Sequence, residues 1–298
     1  MKNIICFGEI LWDMLPTGKK LGGAPLNVAL RIQSFGHHVK TISSIGNDKA
    51  GEEILLAMKE YTADRSLLQI SNQYSTSEVL VTLDKSGSAS YEIKMPCAWD
   101  DIKLMNKDMA EVKSSDAFIF GSLAARKETS RETLFALIDC ANFNVFDVNL
   151  RPPHYSLPVL LQMMEKAHFI KFNDDEIVKI SSDFGCNETS LEARIQFIAK
   201  KTNTSNICVT MGEKGAVLFT HNQFVYNEGY KIQVADTVGA GDSFLATLIT
   251  RLLEGVDPQQ AIDFASAVGA IVASKSGANP PGSSQEIENY NKVPHSFK

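Results

Sequence analysis

The chain has 298 residues, 44% of them hydrophobic, enough apolar material for one large α/β domain or two smaller ones. A net charge of −6 with no block of Lys or Arg argues against a nucleic-acid or membrane-surface partner and favours small molecules. The cysteines (Cys6, Cys97, Cys140, Cys186 and Cys208) are scattered, odd in number and without a C-x-x-C pair, so they suggest neither a disulfide framework nor a zinc site and fit a reducing cytoplasm.

Residues 3–7 read as a buried strand ending at Gly8, with Glu9 and Asp13 beyond it. Those acids come too early for a signal-peptide core, and the apolar stretch 267–273 is too short to span a bilayer, so an untargeted cytoplasmic protein is expected. Gly22 and Gly23 precede a helix carrying Asn27, and the double glycine suits either a hinge or a tight turn. A strand at 39–45 and a helix at 52–61 follow. Two alternating runs within 78–95, joined by a turn at 84–87, then break the rhythm as a β-hairpin, readable as a lid insertion together with 14–21 or as an edge hairpin of the main sheet.

The βα alternation resumes with strands at 117–120, 145–146, 169–172 and 206–210 and helices at 131–141, 157–166, 175–180 and 191–200. A second hairpin spans 216–220 and 223–228. Apolar residues from Phe244 to Leu253 then mark a helix ending near Gly255, and Asp257-Pro258-Gln259-Gln260 is a helix start with Asp at N-cap. The tail after Pro280 reads as loosely structured. Repeated βα units predict a doubly wound, mostly parallel sheet with helices on both faces, whose ligands bind beyond the carboxyl ends of the strands.

Polar residues gather at those ends: Glu9 and Asp13, Ser122, then Asp147, Asn149 and Arg151, then Asn173 and Glu176, then Thr210 and Gly212. The sharpest feature is 236–242, Asp-Thr-Val-Gly-Ala-Gly-Asp, at the start of a helix. Free amides there favour anions, and Gly239 and Gly241 let a phosphate approach the backbone. An acid in the same turn needs a task; Asp242 could take a proton from an attacking hydroxyl, or Asp236 or Asp242 could simply cap the helix. Arg151 suits phosphate oxygens, or else pairs structurally with Asp147. The acids of 173–176 suit Mg²⁺, although an acid-enriched helix start looks the same. No P-loop, complete dinucleotide fingerprint, H-E-x-x-H or G-x-S-x-G occurs.

Taken in order, 8–13, 22–29, 147–152, 173–176, 210–215 and 236–242 resemble the ribokinase-like, or phosphofructokinase-B, sugar kinases, most closely the bacterial fructokinases. The resemblance spans nearly the whole chain and implies a single kinase domain over residues 1–298 with lid segments 14–21 and 78–95. It implies an ATP-dependent phosphotransferase acting on a sugar hydroxyl. Fructose leads; ribose, 2-keto-3-deoxygluconate and nucleosides are the alternatives within the family, and a non-catalytic regulatory relative is the alternative outside it. Asp242 would be the base, and the amides of Gly239, Ala240 and Gly241 the anion hole. Asp13, Gly23, Asn27 and Ser122 would hold sugar, and Arg151 phosphate. Asn173, Thr210, Gly212, Gly215, Ala265 and Ser266 would line the nucleotide, with Glu176 organising Mg²⁺ through water. K⁺, bound by many members, maps to Asp236, Val238, Val272, Lys275 and Gly277. The lid can support a homodimer in relatives. Leu26 departs from the Ala common in fructokinases, and Lys19 and Lys20 suit either an acidic sugar or plain solvation.

Overall fold

The computed structural model describes residues 1–15, 18–83 and 89–280; the turn expected at 84–87 and the tail after Pro280 lie outside them. The described chain divides into two compact units, one of Asn3–Asn142 and one from Phe143 onward.

In the first unit β1 (Asn3–Phe7), β4 (His38–Gly46), β5 (Leu68–Ser71) and β8 (Ala117–Gly121) form a parallel array in the order β8-β1-β4-β5. Between them run α1 (Ala24–Ser34), α2 (Lys49–Glu60) and α3 (Asn106–Ser114), with α4 (Glu128–Ile138) after β8. β1 is apolar and buried from Ile4 to Phe7, as a strand covered on both faces must be. A second sheet, ordered β3-β2-β6-β7, is built from β2 (Leu11–Leu15), β3 (Gly18–Gly22), β6 (Ser77–Leu83) and β7 (Ala89–Ile93). The predicted hairpin therefore belongs to a separate small sheet rather than to the main sheet's edge. That sheet starts at Leu11, earlier than the segment 14–21 expected from the sequence. Trp12 ties it down, packing with Ile10, Leu26, Leu30, Ile45, Ile54 and Met58 in one apolar cluster; each such side chain contributes roughly 1.5–3 kcal/mol by its burial.

The second unit carries parallel strands β9 (Asn144–Asp147), β10 (Phe169–Asn173) and β11 (Ile207–Thr210), extended by the antiparallel β12 (Ala216–Thr220) and β13 (Gln223–Asn227). Its helices are α5 (Leu157–Lys166), α6 (Asp174–Asp183), α7 (Leu191–Thr202), α8 (Ala240–Leu253) and α9 (Pro258–Ala273). The predicted start of α9 is present, with the Asp257 carboxylate accepting from Gln259 and Gln260 N–H. This is the expected doubly wound, mostly parallel α/β fold with a small β lid. Two elements were not foreseen, β5 and α3. Only Asp108 and Val112 of α3 are buried, too few to leave a periodic apolar signal.

Candidate active site

In the second unit the loop 236–242 leads into α8. Gly239 is the N-cap, left-handed at φ 77° and without a side chain to cap the helix, and Asp242 stands in the first turn. The N-cap residue is therefore Gly239 and not Asp242. Asp236 is not a cap either: its carboxylate accepts from Val238 N at 3.0 Å and from Gly277 N at 3.1 Å, joining the loop to the turn after α9. That contact gathers Asp236, Val238 and Gly277, while Lys275 N donates to Val272 O at 3.0 Å in the same turn. A Cβ on Gly239 would lie 2.5 Å from Ala278 Cα, so this turn presses directly on the glycine.

Lys171 lies beneath this loop, a residue that sequence reasoning passed over. It sits on β10 in register with Asp147 on β9, and its Nζ is 3.0 Å from Asp147 Oδ1, both side chains being buried. A Cβ on Gly241 would stand 3.3 Å from that Nζ. Burial works against the ammonium, yet the carboxylates of Asp147, Glu176 and Asp242 outweigh it and hold Lys171 above the usual lysine range. A lone charge inside the apolar strand Phe-Ile-Lys-Phe-Asn was the signal available in the sequence. The same pair corrects the structural alternative for Arg151. Asp147 pairs with Lys171, and Arg151 Nη1 donates to Leu150 O at 2.9 Å.

Asn173 and Glu176 form a reciprocal capping box at the start of α6: Asn173 Oδ1 accepts from Glu176 N at 2.7 Å, and Glu176 Oε2 from Asn173 N at 2.8 Å. Glu176 Oε1 also accepts from Leu150 N at 2.7 Å, fixing the turn that carries Arg151. Burial raises the Glu176 carboxyl above its ordinary range, against the pull of Lys171.

A pocket of about 230 Å³ in this unit is lined by Thr210, Gly212, Gly215, Tyr230, Val234, Thr237, Ala240, Gly241, Phe244, Ser266 and Gly269, among others. It joins predicted nucleotide residues to the α8 N-terminus. Ser266 Oγ is buried there with no hydrogen-bond partner among the described residues, a spare polar group in an apolar slot. Ala265, grouped with it from the sequence, is fully buried and does not line this pocket. Asn173 does not line it either; its side chain is occupied in the capping box.

In the first unit, Asp13 on β2 lies over Gly22, where a Cβ would stand 2.2 Å from the carboxylate. Gly23 has φ 110°, and a Cβ there would strike Glu9 O at 2.2 Å. The double glycine is thus required by close approach. Asn27 is buried on α1, its backbone N–H donating to Gly23 O at 2.9 Å, and Ser122 is buried after β8. Lys19 is exposed, as the solvated alternative has it, while pairing with Glu53 at the surface and lying 4.8 Å from the centre of the Trp12 ring.

Residues 5–285 match the pfkB family of carbohydrate kinases. The chain is 27% identical to a fructokinase of Salmonella typhimurium, covering 91% of this chain and 93% of that protein. It is 26% identical to fructokinase-2 of Zea mays, covering 93% and 90%. Its fold is similar to that of Vibrio cholerae fructokinase solved with fructose, ADP and calcium (TM-score 0.80, 25% identity, 93% and 94% covered) and to a sugar kinase of Pyrococcus horikoshii (TM-score 0.80, 26% identity, 93% of each). The fold and the family match together define a carbohydrate kinase. The chain belongs to the pfkB family.

Proposed function

We propose that the protein transfers the γ-phosphoryl group of ATP to a hydroxyl of fructose. The observation that carries the chemistry is the start of α8, where Ala240 and Gly241 line an apolar pocket and Asp242 stands in the same first turn. The fructokinase relatives support the choice of sugar. In this reading the amides of Gly239, Ala240 and Gly241 receive the charge on the phosphoryl group. Asp242 takes the hydroxyl proton as the oxygen attacks phosphorus and the bond to ADP breaks. Arg151 meets phosphate oxygens, and Thr210, Gly212, Gly215 and Ser266, with Asn173 and Ala265 nearby in sequence or fold, serve the nucleotide. Asp13, Gly23, Asn27 and Ser122 hold the sugar.

Among the described residues no cluster of three His, Cys, Asp or Glu could hold a metal by itself. That suits Mg²⁺, which keeps its waters and is shared with phosphates. Asp147 Oδ2, buried without a hydrogen-bond partner among the described residues, and Glu176 would face its hydration shell, and the ion would neutralise phosphate charge. Asp236, Val238, Val272, Lys275 and Gly277 would hold K⁺. We further propose that the whole chain acts as one kinase domain, that the small sheet closes over the sugar and excludes competing water, and that it supports a homodimer.

The test is coupled ADP formation with purified protein over ketoses, aldoses, keto-acids and nucleosides, with and without K⁺. Fructose should give the highest kcat/KM. A better aldose or nucleoside would replace the fructose assignment, and no turnover on any of them would overturn the kinase reading.

A further inference from the structure

The Lys171 side chain is buried to within 8% of full enclosure, yet among the described residues its Nζ has one hydrogen-bond partner, Asp147 Oδ1. An ammonium carries three donors, and leaving two unmet in the interior is costly. The nearest element on the open side is the start of α8: Gly241, whose missing Cβ would have approached to 3.3 Å, and then Asp242, whose charge Lys171 feels. A purely structural ion pair would need no glycine at 241 and would satisfy both partners; here Asp147 Oδ2 is also unmet. Resting on the kinase reading above, we propose that Lys171 is a catalytic residue whose two unused N–H groups bind the phosphoryl group in transfer at Gly241, with Asp147 as the positioning residue that holds the ammonium there.

Lys171 keeps its proton throughout. The sugar oxygen forms the new bond to phosphorus, the bond from phosphorus to the ADP oxygen breaks, and the hydroxyl proton goes to Asp242. The ammonium offsets charge on the phosphoryl oxygens, which the backbone amides alone do with partial charges.

The experiment compares the parent with Lys171→Met and Asp147→Asn in steady-state kinetics, and in calorimetric titrations with ADP and with a non-hydrolysable ATP analogue. Lys171→Met should lower kcat about 10²–10³-fold, the range for losing one charge-stabilising donor, with sugar KM changed less than about threefold. It should also abolish any preference for the triphosphate analogue over ADP. Asp147→Asn, which releases the ammonium from its place, should also lower kcat with sugar KM changed less than about threefold and narrow the preference for the triphosphate analogue over ADP, a readout that a merely structural pair would leave unmoved. If Lys171→Met fails to fold because Asp147 is stranded, Lys171→Met combined with Asp147→Leu removes both buried charges and should fold and remain slow. A folded Lys171 variant within threefold of parental kcat, with the nucleotide preference intact, would overturn the proposal. A parent that binds nucleotide but phosphorylates no sugar would instead overturn the substrate reading, and the two nucleotide affinities would still decide the role of Lys171.

Discussion

At the scale of single residues, the roles around α8 separate by what a side chain would meet. Asp242→Asn keeps size and removes the proton acceptor; kcat should fall by roughly three orders of magnitude with ATP affinity nearly unchanged, read from steady-state kinetics and calorimetry. Gly239 and Gly241 should not respond alike. At Gly239 an alanine would need positive φ and would collide with backbone atoms of Ala278, so Gly239→Ala is expected to cost at least about 1–3 kcal/mol in a denaturant titration and to abolish turnover. At Gly241 the backbone is ordinary and the close atom is the end of a flexible lysine, so Gly241→Ala should fold normally and lose roughly tenfold in kcat. Equal melting temperatures and equal rates for the two variants would show that the loop is not built as described. The 236–242 motif was legible because glycines and an acid at a helix start have few physical uses. Lys171 was not read, because attention to strand ends overlooks a charge inside a strand.

Among elements, one polar junction joins α2 to the small sheet. Asp48 caps α2 through Gly51 N at 2.8 Å, and the same carboxylate receives Thr76 N at 2.8 Å and Thr76 Oγ1 at 2.7 Å, just before β6 begins. Although burial pushes the Asp48 carboxyl up, these bonds from Thr76 and Gly51 outweigh it and hold the group below its ordinary range. A carboxyl with a depressed folded pKa stabilises above the unfolded value, near 4, and loses that stabilisation as pH falls through the folded one. Asp48→Ala should therefore cost about 1–2 kcal/mol at pH 7 by urea unfolding, with the gap from the parent closing below about pH 4. A gap independent of pH would remove the charge from the explanation. This junction was not legible beforehand, since Asp48 and Thr76 are distant in the chain and their neighbours read as ordinary turns. Strongly patterned elements such as β1, α5 and α9 were legible, whereas β5, with no fully buried residue, and the mostly exposed α3 bury too little to leave a pattern.

For the whole molecule, the order of strands and helices followed from repeated βα units, because a strand buried on both faces and the amphipathic helix after it leave different periods in the sequence. What sequence reading could not supply was the separate sheet as a four-stranded object, since β2 and β6 pair in parallel across more than sixty intervening residues. The proposed dimer belongs to this scale. Leu80 on β6 is 51% exposed while its neighbour Val79 is buried, so the small sheet has an apolar position on its open face. Sedimentation equilibrium should give a dimer for the parent and a monomer for Leu80→Glu; a parent that stays monomeric at tens of micromolar would remove the lid from assembly.

The contact between Gly239 and Ala278 sets a rule of length. Backbone meets backbone there, and Asp236 fixes the same register by receiving Gly277 N, so the stretch from the end of α9 to Ala278 must contain the number of residues it has. Substitutions along it are open to compensation, because side chains can be exchanged or trimmed. An insertion has no such remedy: one extra glycine after Lys275 would push a peptide unit into the space Gly239 vacates by lacking a Cβ. Such a variant should keep its helical circular dichroism and lose turnover. In the divergence of related chains, this segment would accept changes of letter far more readily than changes of spacing.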